Sequence, residues 1–163
     1  MTEEVNTQEF DPTAPATQGE IESLVGDFNE PSHLDWTEAA AKAGRHPIKV
    51  AYPTSKAFAA AGFSDAYRTV YPDEMAKPGF TWTPMTKANQ SKTHDDRIDF
   101  VYFKGKGVNV TDAKIVGENE ENADIVVAPY PSDHRAVVAT FTLTNQPKSG
   151  KLDANKPDAG DGK

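Results

Sequence analysis

The sequence contains no cysteine, which excludes disulfide bridges and thiolate-held metals, so any metal must be bound through oxygen and imidazole ligands. It has no apolar run near the roughly 18 residues that cross a bilayer, so no membrane span is expected. Met1 to Gly19 lacks the basic start and apolar centre of a signal peptide, and the chain by itself assigns no compartment. Basic residues are in short supply: 17 Lys and Arg stand against 25 Asp and Glu, a formal net charge of −8. Non-specific grip on a nucleic acid depends on Lys and Arg at the phosphates, so this balance argues against a surface built to hold a polyanion.

What is present is enough for one domain with a core, and 163 residues are too few for two. Residues 1–20 are polar and rich in Thr, Glu and Pro without a helical or alternating period, and residues 145–163 are similar, so both ends are expected to be disordered around a domain over 21–144. Within it, Ile21 to Val25 reads as a short strand. Asp35 with Glu38 resembles a capping box for a helix through Ala43, closed by Gly44. Thr54 or Ser55 is placed to cap a second helix through Ala61, and Ser64 a third through Val70. Phe80 to Thr83 reads as a brief strand. Ile98 to Phe103, the turn Gly105-Lys106-Gly107 and Val108 to Val116 read as a hairpin, and Ala136 to Leu143 as the last strand.

Three polar clusters sit beside these strands: Gly26-Asp27-Phe28-Asn29, Arg97-Ile98-Asp99 and Ser132-Asp133-His134-Arg135. His134 is an imidazole on the support of a buried strand, where proton transfer near neutral pH is possible. Bonded to Asp99 it would be held in one tautomer and made more basic. Asp27 would align or deprotonate a water, and the Asn29 amide would donate to a phosphate oxygen without adding charge. Asp27 and Asn29 are expected to project to one side of an extended backbone. Asp133, pointing away from His134, would support a nearby cation. Carboxylates, one amide and one His suit Mg²⁺ or Mn²⁺ and phosphoryl substrates. Arg97 reads as a structural ion-pair residue bonding Asp96 or a loop carbonyl. His33, His46 and His94 read as surface or capping residues, with His33 near enough to Asn29 to approach the cleft. Glu118 to Asn122 reads as a solvated acidic loop.

At the three clusters the chain resembles the endonuclease/exonuclease/phosphatase superfamily, which includes deoxyribonuclease I, and the clusters stand in that family's order. Asn29 to Trp36 and Phe80 to Pro84 also resemble bacterial members. The resemblance implies an α/β/β/α sandwich, α/β in class, with a mostly antiparallel sheet and short helices on one face. It implies a divalent-metal phosphoesterase in which Asp27 serves the water, Asn29 the phosphate, Asp99 the catalytic His, Asp133 and Asp27 the metal and His134 the scissile phosphate. The acidic balance favours a small phosphoester over duplex DNA.

The likeness covers residues 21–143, the family's C-terminal half. Gln8-Glu9 echoes a Gln-Glu dipeptide of the first half but has no apolar strand before it. Half a sandwich would expose an apolar sheet face and an edge, so self-association or pairing with a separate N-terminal half is expected. The alternative function is a non-catalytic interaction module that uses the same open face.

Overall fold

The computed structural model describes residues 21–83 and 95–144. The two terminal segments expected to be disordered, and Gln8-Glu9, lie outside the described residues. The elements are β1 (Glu22–Asp27), α1 (Glu38–Lys42), α2 (Pro53–Ala60), β2 (Ser64–Asp65), α3 (Ala66–Val70), β3 (Asp99–Lys104), β4 (Val108–Gly117), β5 (Ile125–Val126) and β6 (Ala136–Leu143). They form an α+β fold of two mostly antiparallel sheets, ordered β1-β3-β2 and β5-β4-β6, with a few short helices.

Strand β3 is the centre because it is apolar on both faces, the pattern of a strand covered on two sides. Phe100 and Tyr102 face α2, packing with Phe63, Leu24, Phe28 and Phe58. Phe28 meets the rings of Phe58, Phe100 and Tyr102 edge-on at 5.4, 5.8 and 5.8 Å. Val101 and Phe103 point the other way, against Val108, Val110, Val137 and Phe141 of the second sheet. Helix α3 places Tyr67 against Ala113 and Ile115 of β4. In β4 the inward set changes parity: Val110 pairs with Phe141 but Asp112 with Thr140, so Thr111 is an extra residue at a bulge.

The expected hairpin does not form, since β3 and β4 belong to different sheets. Both edges of β3 are already occupied, by β1 and β2. The short Gly105 to Gly107 link therefore carries the chain across the core to the second sheet, where β4 pairs with β6.

The expected caps are also displaced. Thr37, not Asp35, caps α1 by accepting from the Ala40 amide at 3.1 Å. Helix α2 starts at Pro53 behind Tyr52 with no side-chain cap, and Asp65 rather than Ser64 caps α3. Asp35 is instead drawn inward by two buried arginines, and Asp65, besides capping α3, pairs with one of them. Asp35 accepts from Arg68 Nε at 2.6 Å and from Arg97 Nη2 at 2.8 Å, and Arg97 Nη2 lies 2.7 Å from Asp65. Arg97 is thus an ion-pair residue, but its partners are Asp35 and Asp65 rather than Asp96. Burial works against its charge and the two carboxylates more than offset it, so its pKa is raised.

Among the described residues strand β1 pairs only with β3, and its Val25 is 66% exposed although it lies opposite the buried Val101. The second sheet meets β3 through Val108 and Val110 of β4 and through Val137, Ala139 and Phe141 of β6. Among the described residues no helix is long and apolar enough to cross a membrane.

Removing one partner of a buried pair leaves the other charge stranded, at a cost of about 3–5 kcal/mol. Asp35→Ala leaves Arg68 without a carboxylate partner and Arg97 with Asp65 alone, and is expected to lower stability by that order in urea unfolding or to prevent folding. Lys42→Ala, which breaks an exposed 3.5 Å pair with Glu38, is expected to cost at most about 0.5 kcal/mol.

Candidate functional site

Asp27 ends β1 and Asp99 begins β3, and the two are direct cross-strand partners. Their side chains leave the sheet on the same face, where like charges oppose each other. Between them stands His134, delivered by the segment that leads into β6. Its Nδ1 is 3.0 Å from Asp99 Oδ2. An ionised carboxylate only accepts, so Nδ1 carries the proton and donates it to Asp99, which leaves Nε2 as the basic nitrogen. One ligand atom from each of Asp27, Asp99 and His134 lies within 4.8 Å of the others.

Asn29 reaches the site by a turn rather than along an extended backbone. Its φ is +50°, a left-handed conformation that Asn tolerates better than most residues. In that turn the Asn29 amide N–H donates to Asp27 Oδ1 at 2.7 Å, and its Nδ2 donates to Oδ2 at 3.0 Å. Both oxygens of Asp27 are therefore held by one neighbour two residues away. Asp133 is exposed and is not one of the three clustered groups. It acts on His134 through its charge.

Partial burial lowers the His134 pKa, but the Asp99 hydrogen bond and the charges of Asp99, Asp27 and Asp133 outweigh it, so the ring sits above its ordinary value. Such an imidazole, oriented by one carboxylate and close to a second, is able to exchange a proton with a group placed at Nε2. The same atoms suit a hard divalent cation. Two carboxylates are the kind of donor set that Mg²⁺ uses while keeping several waters, so Asp27 and Asp99 fit such an ion and the imidazole lies at its margin.

Several supporting residues carry little signal in the sequence. Arg135 is buried and donates from Nε and Nη2 to Glu118, at 2.9 and 2.5 Å, so Glu118 is not merely part of a solvated loop. This hydrogen bonding lowers the Glu118 pKa. Arg135 Nη1 also donates to Thr83 Oγ1 at 2.8 Å. Phe80 to Thr83 forms single bridges rather than a strand: Trp82 bridges both Asp96 and His134. A Thr-Trp pair in a Pro-rich loop offers only its β propensity as a hint of this.

The other histidines stand apart. His33 Nδ1 lies 2.8 Å from Ser55 Oγ, beside α2 and outside the Asp27, Asp99 and His134 cluster. Its pKa is lowered by burial and by Lys56. His46 is 3% exposed and stacks on Trp36 at 4.2 Å, a core residue rather than a surface one. Stacking covers one face of its otherwise polar ring with the Trp36 indole, which loop composition does not reveal. His94 lies outside the described residues.

Two mostly antiparallel sheets, with a hydrogen-bonded His–Asp pair and a second carboxylate at the strand ends, fit a domain of the phosphoesterase- and nuclease-type families. The chain belongs to the Endonuclease/Exonuclease/phosphatase family, whose sequence profile matches residues 24–134. Members of that family generally use divalent metals. The chain is similar to a protein of Caenorhabditis elegans, itself described as uncharacterized, with 36% identity over 127 residues. The match covers 74% of this chain and 40% of that protein, so the chain spans less than half the length of this relative. No solved structure matches it.

The raised His134 pKa means that the folded chain binds this proton more tightly than the unfolded chain does. Its contribution to stability is complete below the ordinary value of 6.5 and is lost as pH rises through the higher folded value. Following the His134 Cε1–H signal by NMR should give a midpoint above 6.5. Asp99→Asn, which removes the main raising influence, is expected to move that midpoint down. A midpoint unmoved by Asp99→Asn would contradict the pairing.

Proposed function

We propose that this chain carries the proton-handling part of a divalent-metal-dependent phosphoesterase site. The observation that supports this most directly is the His134 Nδ1–H donated to Asp99 Oδ2 at 3.0 Å with Asp27 in the same cluster. In this reading His134 Nε2 meets the scissile phosphate, and Asp99 holds the ring in the tautomer that leaves Nε2 able to take or give a proton. Asp27, fixed through both oxygens by Asn29, aligns the attacking water and draws its proton. Asn29 spends one Nδ2 hydrogen on Asp27 and has a second for a non-bridging phosphate oxygen.

Mg²⁺ or Mn²⁺ would neutralise charge on the phosphate, held through Asp27 and Asp99, with Asp133 adding negative potential at the rim. The net charge of −8 supports a small phosphomonoester or phosphodiester in preference to duplex DNA.

The test is hydrolysis of p-nitrophenyl phosphate and bis-p-nitrophenyl phosphate with Mg²⁺ or Mn²⁺. Positioned acid–base groups contribute about 10²–10⁴-fold, so His134→Ala is expected to lower kcat by that order, with a comparable loss for Asp27→Asn. Turnover that persists unchanged in His134→Ala sinks the assignment.

A second reading is favoured by one observation: among the described residues β1 is paired on its β3 side alone, and its Val25 is 66% exposed. An unpaired edge beside apolar surface suits strand addition by another chain, either a second copy or a separate half-domain. Light scattering on the purified chain distinguishes the cases. A concentration-dependent dimer supports this use of the edge, and a monodisperse monomer across the micromolar range counts against self-pairing.

A further inference from the structure

Thr81 is fully buried at 0% exposure, in a segment that forms no regular strand. All three of its backbone and side-chain polar positions are engaged. Its Oγ1 accepts from the amides of Ile98 and Asp99 at 3.0 and 3.1 Å. Its own amide donates to the Asp96 carbonyl at 3.0 Å, and its carbonyl accepts from the Arg135 amide at 2.6 Å. The next residue, Trp82, bridges Asp96 on one side and His134 on the other.

The residue on which these bonds converge therefore sits between the chain that presents Asp99 and the chain that presents His134. Those two chains enter different sheets, β3 and β6, and Asp99 is not a ladder partner of His134. Sheet pairing therefore does not set the distance between them. Oγ1 acts at the amide of Asp99 itself and the Thr81 carbonyl acts at the residue after His134.

We propose that Thr81 is a positioning residue that holds Asp99 and His134 in mutual register by bonding both segments at once. Surrounding bonds make the clamp stiff. Trp36 Nε1 donates to Asp96 Oδ1 at 3.0 Å, so the Asp96 end is itself fixed from the core. Arg135 Nη1 donates to the Phe80 carbonyl at 3.3 Å and to Thr83 at 2.8 Å, which fixes the other end. A hydroxyl is needed because two buried amides share it. A Val side chain of similar shape keeps the apolar contact and leaves both N–H groups without an acceptor. A Ser keeps the acceptor and gives up one methyl.

The experiment compares the parent chain with Thr81→Val and Thr81→Ser by imidazole ¹⁵N NMR and by phosphoester hydrolysis. In the parent and in Thr81→Ser, the His134 ring should be locked in the Nδ1–H tautomer with a downfield Nδ1–H proton. In Thr81→Val that proton signal should be lost and the two tautomers should average, with kcat about tenfold lower and KM unchanged. A folded Thr81→Val with the parent tautomer overturns the proposal, as does a folded Thr81→Ser that loses it.

If Thr81→Val does not fold, amide exchange in the parent decides. Ile98 and Asp99 amides exchanging as slowly as those of central β3 support the clamp, and fast exchange at Asp99 overturns it. Only the kinetic arm rests on the phosphoesterase reading. Altered tautomers without hydrolysis by any form would leave the clamp standing and remove that reading, whereas hydrolysis insensitive to Thr81→Val with parent tautomers would do the reverse.

Discussion

Two carboxylates face each other across one rung of an antiparallel ladder, Asp27 against Asp99, and the rest of the site exists to tolerate that. Opposed like charges in a sheet are unfavourable by about 0.2–1 kcal/mol, so something must offset them. Asn29 covers the oxygens of one and His134 bonds the other. The negative field that remains raises the imidazole pKa.

Such a site requires a rigid base, and that base is a second, deeper set of charges. Asp35, Asp65, Arg68 and Arg97 sit with almost no solvent contact directly behind the Arg97-Ile98-Asp99 segment. Rings of Tyr67 and Phe100 flank the Arg97 guanidinium at 5.6 and 4.5 Å. These ion pairs join the loop before α1 to the β2–α3 junction and to the segment that opens β3, and only the last two are also linked by a ladder, β2 with β3. The site thus inherits its geometry from the interior. Gly79 belongs to the same packing: with φ at +69°, a Cβ there would lie 2.3 Å from the Tyr67 ring.

Much of this was legible in the residues. Phe100 to Phe103 reads as a strand because it is apolar without interruption, and it is the central one. The final strand from Ala136 is signalled by its run of Val, Thr and Phe. Less legible was everything that depended on a choice of partner. The Gly105 to Gly107 turn has hairpin chemistry, yet the strand before it had no free edge, and a turn does not report the occupancy of an edge. Asp35 has the spacing of a cap, but a carboxylate beside two buried guanidiniums gains more from them than from an amide at a helix end. Thr81 and Arg135 carry no motif of their own, because a clamp is defined by what it spans.

Local alternation, the placement of polar residues beside apolar runs and the scarcity of basic side chains were decided by the sequence alone, since each depends on residues within a few positions of one another. They establish an α+β chain with acids, an amide and one imidazole at strand ends. Only the tertiary structure decided that Asp27 and Asp99 share a rung, that Asn29 turns back onto Asp27, and that Asp35 and Asp65 are the partners of the buried arginines. Those outcomes follow from register and sheet order, which arise when distant segments compete for the same edges and the same buried charges.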